Sequence, residues 1–308
     1  MDYRGFRDYT RRMTRLDSKE YGRRATLVTA VIAVLVSVAP PAFADDAPPP
    51  CRTPIAVALA DRPGTGRTTS AGGSPCVVLP GAIVLETGFR RQVTTSSGSS
   101  VTLASGPLTF VRAGIAKRLE IGIAPPSNQS RAIAGNAPFD AARGTADLVL
   151  AAKYLVLDTR VAQGSLGAAY APPTGTGEFT AGAPTFSLSA NLGLTLGPKL
   201  SFTTSQVFGT ATGADASGAN RTFFVYAPSF TLAYALDGAT TLLIQDALVS
   251  RQGPLLPAGS RGYAAVQRAL GDRLAVDLDY EINLASRTGS SHAVGFGLVW
   301  IVTPGRSR

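Results

Sequence analysis

The sequence predicts an all-β fold: a transmembrane, antiparallel, up-and-down β-barrel of about 12 strands, exported by an N-terminal signal peptide. Three observations support this prediction. An apolar export segment lies near the N-terminus, β-rich segments of about ten residues follow one another from Gly81 onward, and every second connection between them is very short. The predicted organisation is a signal peptide (1–44), a periplasmic N-terminal segment (45–81), the barrel (82–303) and a C-terminal tail (304–308).

The export segment is the apolar stretch 25–38, which follows the basic pair Arg23-Arg24 and precedes the triplet Ala42-Phe43-Ala44. It is too short to cross a bilayer, which takes about 20 apolar residues. A basic flank, a short apolar core and a small-x-small site are typical of a secretory signal peptide. We expect cleavage after the triplet, with an uncleaved anchor as the alternative. Because the basic region is unusually long, the true start is either Met1 or Met13.

The net charge of the whole chain is +9, and part of this excess belongs to the signal peptide. The other basic residues are scattered singly, without the interleaved aromatic residues of a nucleic-acid surface, so we do not expect a nucleic-acid partner. No second apolar run is long enough for a membrane helix, although only 16% of the residues are charged. A closed barrel is the other structure that satisfies its backbone polar groups in lipid.

The strand segments are separated by Gly, Pro, Asp, Asn and Ser. We predict strands near 82–93, 106–115, 118–124, 144–157, 160–171, 184–196, 199–209, 221–236, 239–251, 260–270, 273–284 and 291–303. Hairpin turns are predicted at Ala116-Lys117, Asp158-Thr159, Gly197-Pro198, Asp237-Gly238 and Gly271-Asp272. Longer polar stretches, predicted as loops, lie between them at 94–105, 125–143, 172–183 and 210–220. Short turns at one end and long loops at the other are typical of outer-membrane barrels.

Alternation of side chains is clearest in the segment 273–284. One face carries Leu274, Val276, Leu278, Tyr280, Ile282 and Leu284. The opposite face carries the acidic residues Asp277, Asp279 and Glu281. Successive side chains of a strand point to opposite sides, so in a barrel the apolar face meets lipid and the acidic face meets the lumen.

The two cysteines, Cys51 and Cys76, both precede the first strand. Because export leads to an oxidising compartment, we predict a disulfide between them, with two free thiols as the alternative. Lipid modification of Cys51 is disfavoured, because three prolines precede it. Residues 45–80 are rich in Pro, Gly, Ser and Thr, and the sequence leaves open whether they plug the barrel or form a disordered leader.

Several short motifs follow one another along the chain. They are Pro75-Cys76, Pro80-Gly81, Leu85-Glu86-Thr87-Gly88-Phe89, Val111-Arg112-Ala113-Gly114-Ile115, Leu119-Glu120-Ile121-Gly122-Ile123, Gly144, Asp147-Leu148, Lys153-Tyr154 and Pro172-Pro173-Thr174-Gly175. In this order they resemble the motifs of a family of outer-membrane transporters that is grouped under meta-pathway phenol degradation. The resemblance extends over roughly residues 75–303. It implies an outer-membrane barrel that passes small organic compounds, with aromatic or hydrophobic compounds as the candidates. The chain departs from the family at its end, where Pro304 to Arg308 follow the last strand.

Charged residues fall on the predicted lumen faces of the first four strands and of the strand 273–284. They are Glu86, Arg90, Arg112, Glu120, Asp147, Lys153, Asp277, Asp279 and Glu281. One interpretation is a charged constriction that selects solutes. The other is a salt-bridge network that fills the lumen and holds the strand register. Closure of the barrel would bring the acidic strip near Arg90 and Arg112.

Enzymatic chemistry is not expected. His292, the only histidine, lies beside Ser290 and Ser291, but a nucleophile and its base also need a third, orienting group, and no such set is evident. One histidine and two cysteines show no metal-ligand spacing, and no cofactor is expected.

The favoured hypothesis is a channel or transporter for small organic solutes in the outer membrane of a Gram-negative bacterium. The main alternative is a plugged structural or adhesive outer-membrane protein, and a soluble exported β-sandwich is a third. The expected partners are outer-membrane lipids, small organic solutes and the barrel-assembly machinery.

Overall fold

The structure is a computed structural model, and it describes residues 51, 73–136, 139–215, 219–250, 259–285 and 289–304. The predicted signal peptide, both possible starts and residues 305–308 lie outside the described residues. The described strands are β1 (Ala82–Ser96), β2 (Ser99–Ser105), β3 (Phe110–Ala116), β4 (Leu119–Ala124), β5 (Asn128–Gly135), β6 (Asp140–Thr145), β7 (Val149–Asp158), β8 (Ala162–Ala171), β9 (Thr185–Thr195), β10 (Leu200–Ala214), β11 (Asn220–Ala235), β12 (Thr240–Val249), β13 (Gly259–Ala269), β14 (Leu274–Ala285) and β15 (Ser290–Pro304). A turn of 3₁₀ helix spans Gly177–Phe179. Among the described residues, no helix is both long and apolar enough to cross a membrane.

The strands form a closed antiparallel barrel. From β7 to β15 each strand pairs with the next, and β15 pairs with β1, so that Phe89 lies opposite Phe296. Closure removes the sheet edges that would otherwise expose backbone N–H and C=O groups to lipid. The predicted all-β barrel of about 12 strands is therefore confirmed.

Three neighbouring strands of the barrel wall are each broken in the middle. The first half of β1 pairs with β3, whereas its second half pairs with β2, so β2 and β3 are two parts of one interrupted strand. In the same way β4 continues as β5, and β7 is preceded by β6. If β2 with β3, β4 with β5 and β6 with β7 are each counted as one interrupted strand, these three and the nine uninterrupted strands make a barrel of twelve.

Proline accounts for two of these breaks. The interruptions at 106–109 and 125–127 contain Pro107, Pro125 and Pro126, and proline has no N–H to donate to a sheet ladder. The third interruption, at 146–148, has no proline. The three interruptions lie side by side, since the backbone N–H groups of Gly106 and Ala146 donate to the carbonyl oxygens of Asn128 and Ser127.

The long polar stretches correct part of the sequence-based prediction. The stretches 94–105 and 125–143 were predicted as loops, but they contain the end of β1 and the strands β2, β5 and β6. Most of 210–220 is likewise taken up by β10 and β11. These strands extend beyond the apolar band of the barrel that faces the hydrocarbon region of the membrane. Outside this band the outer face need not be apolar, so the strands can be rich in Ser and Thr. The stretch 172–183 is a loop, as predicted.

Hydrophobicity is inverted relative to a soluble protein. Large apolar side chains such as Ile244 (68% exposed) and Phe89 (58% exposed) cover the outside, whereas Arg112 (0%) and Lys153 (1%) are buried inside. An apolar exterior around a polar interior is typical of a transmembrane barrel. It contradicts the alternative of a soluble β-sandwich, which would bury its apolar faces.

All five predicted hairpin turns connect strands at the end of the barrel where the described part of the chain begins and ends. In the turn between β11 and β12, Asp237 Oδ1 accepts hydrogen bonds from the backbone N–H groups of Ala239 and Thr240, both at 2.7 Å. These two donors hold the pKa of the Asp237 carboxyl below its ordinary value.

This lowered pKa makes the contribution of the turn depend on pH. The carboxylate stabilises the fold above its unfolded pKa of about 3.9, and this contribution is lost as the pH falls through the lower, folded value. We expect Asp237→Ala to lower the melting temperature at pH 7 and to have little effect near pH 2. Thermal melting of the detergent-solubilised barrel measures this, with Asp272→Ala in another turn as the control. An equal destabilisation by Asp237→Ala at both pH values would contradict the prediction.

Candidate functional site

The candidate site is the barrel lumen, and the predicted charged residues lie mostly in it. Seven of them are at least 95% buried: Glu86, Arg112, Glu120, Lys153, Asp277, Asp279 and Glu281. Arg90 points inward beside them. These side chains form two groups, one at the periplasmic end and one higher in the lumen.

Arg112 is the centre of the lower group. Its Nε and Nη2 donate to the two carboxylate oxygens of Glu120 at 2.8 and 2.9 Å, and its Nη1 donates to Glu86 at 2.9 Å. The paired geometry with Glu120 matches the planar fork of a guanidinium. Lys153 adds a second positive charge, with its Nζ 4.0 Å from Glu120 Oε1. We call these four residues the Arg112 network.

The upper group joins three strands through Glu281. Its carboxylate accepts a hydrogen bond from Arg90 on β1 at 2.7 Å and from Arg261 on β13 at 3.4 Å. Asp279 lies over Gly295, where an added Cβ would come within 2.3 Å of its carboxylate oxygen. The acidic strip on β14 therefore lies beside Arg90, while Arg112 pairs with Glu86 and Glu120.

The chain before the first strand enters the lumen. Residues 74–79 lie inside the barrel, where the backbone N–H of Val78 donates to Glu120 Oε2 at 2.7 Å. Lys153 Nζ donates to the carbonyl oxygen of Cys76 at 3.0 Å. The Arg112 network thus binds the backbone of this segment, which we call the lumen segment. The sequence left a plug and a disordered leader open for residues 45–80; of these, Cys51 and residues 74–79 are buried, and residues 45–50 and 52–72 lie outside the described residues.

A disulfide and an apolar cluster hold the lumen segment against the wall. Cys51 and Cys76 are bonded, as predicted, and both are 1% exposed. They pack with Val78 and Leu79 against the inner faces of β1, β14 and β15, at Ala82, Val84, Ala275, Val299 and Ile301. Gly114 on β3 lets the lumen segment pass close to that strand as well, because a Cβ there would lie 2.0 Å from the carbonyl oxygen of Leu79.

Asp147 has a different position from the other predicted site residues. It lies between β6 and β7 and accepts hydrogen bonds from Gly175 N at 2.7 Å, Thr180 Oγ1 at 2.8 Å and Ala181 N at 2.7 Å. Thr176 continues this contact by exchanging hydrogen bonds with Thr145 at the end of β6. Asp147 therefore anchors the loop that covers the outer edge of β6.

Two apolar clusters also line the lumen, and we call them the wall clusters. The first consists of Phe110, Ala124, Val149 and Ala169, with Ala151 and Ala171 beside them. The second consists of Leu243, Tyr263 and Ala265, with Ala233 beside them. Tyr263 lies directly opposite Glu281 in the strand register, so this second cluster shares the inner face with the acidic strip. Neither cluster is among the residues predicted from the sequence, which are charged; the available signal was the aromatic residues Phe110 and Tyr263 at inward-facing strand positions.

His292 and its neighbour Ser291 point to opposite faces. Ser291 Oγ accepts hydrogen bonds from Gln92 and Thr94 on the inner face, whereas His292 lies opposite Val93 and is exposed on the outer face. The two side chains cannot act on one another.

A closed barrel with an apolar exterior and a polar lumen defines the protein as an outer-membrane β-barrel of a Gram-negative bacterium. Residues 60–307 match a family described as "Putative MetA-pathway of phenol degradation", and the chain belongs to this family. The resemblance seen in the sequence is thus confirmed. No curated protein matches the chain.

Solved structures provide a comparison of the fold. An outer membrane channel from Pseudomonas putida F1 has a TM-score of 0.58 and 14% identity, over 73% of this chain and 97% of that one. The NanC porin has a TM-score of 0.46 and 12% identity, over 71% and 99%. The translocator domain of the autotransporter NalP from Neisseria meningitidis has a TM-score of 0.45 and 13% identity, over 78% and 90%. The first of these similarities supports the barrel fold.

We expect Arg112→Ala to lower the stability of the barrel by about 3–5 kcal/mol, because it leaves Glu86 and Glu120 buried without the guanidinium. Urea unfolding followed by the heat-dependent gel mobility of the folded barrel measures this. Arg118→Ala in an exposed turn is the control and should have little effect. Unchanged stability of Arg112→Ala would show that the network does not hold the wall together.

We expect Lys153→Met to loosen the lumen segment, because the hydrogen bond to the Cys76 carbonyl is lost. A charged hydrogen bond contributes about 1.5–3 kcal/mol, so the fraction of molecules in which the lumen segment has moved away from the wall should rise roughly tenfold or more. Single-channel recording in planar bilayers measures the open probability, with Lys117→Met as the exposed control. The same open probability in both variants would contradict this role of Lys153.

Proposed function

We propose that the protein is an outer-membrane channel for small organic solutes with largely apolar surfaces. The observation that carries this proposal is the pair of wall clusters. A water-filled porin lumen is polar, whereas here Phe110, Leu243 and Tyr263 face inward. Membership of a family associated with phenol degradation supports the same class of solute.

The width of the barrel also supports a passage. An eight-stranded barrel is just filled by side chains, and a wider barrel leaves room for a ligand, a plug or a channel. In this barrel of twelve, the lumen segment takes up that room at the periplasmic end. Passage therefore requires the segment to shift, and its polar attachment to Glu120 and Lys153 is the contact that must break.

The second candidate is a structural or adhesive protein whose lumen is permanently closed. The completely buried Arg112 favours this alternative, because a network that fills the lumen can serve as scaffold alone. The two candidates differ in a measurable property, since only the channel passes solutes.

Uptake of radiolabelled toluene, with arabinose as the polar comparison, tests the proposal in cells that express the protein. We expect expression to raise toluene uptake severalfold. Phe110→Gln places a polar side chain in the first wall cluster and should remove most of this increase. Phe186→Gln makes the same change on the outer face, where Phe186 is 52% exposed, and should leave uptake unchanged.

The outcomes separate the candidates. Loss of toluene uptake in Phe110→Gln but not in Phe186→Gln supports a lumen route for apolar solutes. Uptake of arabinose alone would overturn the proposed solute class. No uptake of either compound by the folded, heat-modifiable barrel would favour the closed structural protein.

A further inference from the structure

A cleft opens on the outside of the barrel beside the interrupted strands. It encloses about 1110 Å³ where β1 and β15 meet the upper strands β2, β5 and β6. Its apolar lining includes Phe89, Ala104 and Phe296, and two arginines, Arg91 and Arg143, also line it. Neither the lumen network nor the proposed passage uses these residues.

The strand register places this lining on the lipid side. Phe89 and Phe296 lie opposite one another, and they are 58% and 49% exposed. Arg91 lies two positions beyond Phe89, on the same face. Residues that are directly opposite in an antiparallel pair share a face. Arg91 lies opposite Ala104, Ala104 opposite Ser130, and Ser130 opposite Arg143, so all four side chains are on the outer face.

The cleft also lies at the height of the lipid headgroups. Arg91 is nine positions after the start of β1, which corresponds to a rise of about 23 Å for a strand tilted by roughly 40°. The apolar band of an outer-membrane barrel is about 25 Å tall. The guanidinium groups are therefore placed near the outer boundary of the band, with Phe89 and Phe296 on its apolar side.

The charges of the cleft remain available to a ligand. Two other arginines of these strands, Arg90 on β1 and Arg131 on β5, point inward. Arg90 is bound to Glu281, and Arg131 is bound to Asp140 and Glu178. Within the part of the chain that the structure describes, neither Arg91 nor Arg143 has a carboxylate at ion-pair distance. Two unneutralised arginines beside an apolar surface fit an anionic amphiphile.

We propose that this cleft binds a phosphorylated glycolipid of the outer leaflet, that is, the lipid A part of lipopolysaccharide. Arg91 and Arg143 stand on strands three ladder steps apart, a separation of about 14 Å between their backbones. Each binds one of the phosphates at the two ends of the disaccharide, since a guanidinium pairs with phosphate through two parallel hydrogen bonds. Asn128 and Ser130 line the cleft between them and face the sugar hydroxyls. The acyl chains lie over Phe89 and Phe296.

The experiment uses the full mature protein, extracted from outer membranes in mild detergent and then stripped of lipid. Native mass spectrometry measures binding of bisphosphorylated lipid A, of monophosphorylated lipid A and of phosphatidylglycerol. The test variant is Arg91→Gln/Arg143→Gln. The control, Arg118→Gln/Arg273→Gln, removes two exposed arginines from turns at the opposite end of the barrel. Heat-dependent gel mobility checks that each variant is folded.

We expect the test variant to bind bisphosphorylated lipid A at least about tenfold more weakly than the control, in keeping with the loss of charged hydrogen bonds. The unmodified protein should prefer the bisphosphorylated form over the monophosphorylated form by a similar factor. This second comparison needs no variant, so it tests the proposal even if the substitutions impair folding. Four outcomes would overturn the proposal. The test variant and the control could bind bisphosphorylated lipid A equally well, or the unmodified protein could bind both forms of lipid A equally well. The unmodified protein could also bind phosphatidylglycerol as well as bisphosphorylated lipid A, or bind a second copy of itself in place of lipid.

Discussion

Backbone hydrogen bonding in lipid is the constraint on which the rest of the structure depends. Because no water is available in the hydrocarbon region, each strand must find partners on both sides, and the pairing of β15 with β1 completes the ring. Once the ring is closed, every side chain in the wall faces either lipid or lumen. The apolar exterior and the charged interior are two results of the same pairing.

Charged side chains buried in the lumen must be paired and hydrogen-bonded, because an unpaired buried charge destabilises the fold. A lone charge in the lumen would be costly, whereas Arg112 is paired with Glu86 and Glu120 through three hydrogen bonds. Glu120 also accepts a hydrogen bond from the backbone N–H of Val78, and Lys153 donates one to the backbone carbonyl of Cys76, both in the lumen segment. The network that joins β1, β3, β4 and β7 is therefore also the attachment point of the lumen segment.

The interrupted strands shape both sides of the wall. Pro107, Pro125 and Pro126 cannot donate to the ladder, and the strands are interrupted where they lie. On the inside, the interruption is adjacent to Phe110, which packs in the space left by Gly122, where a Cβ would come within 2.5 Å of its ring. On the outside, the cleft beside Phe89 lies next to it. A local loss of hydrogen-bond donors thus accompanies the features proposed to bind solute and lipid.

The sequence by itself determined the class of fold, the short turns and most of the inward-facing charges, because a strand alternates with a period of two and Asp-Gly or Gly-Asp pairs mark turns locally. It also indicated that Cys51 and Cys76 are bonded. The sequence also placed the acidic strip near Arg90, but tertiary structure alone decided that Glu281 is the member Arg90 binds, that Arg112 pairs with Glu120 instead of the strip, and that Asp147 anchors a loop. Those partners depend on how far neighbouring strands are staggered when the ring closes. The position of the lumen segment, the extension of strands into Ser- and Thr-rich stretches and the wall clusters were decided at the same level, since each results from contacts between strands far apart in the chain.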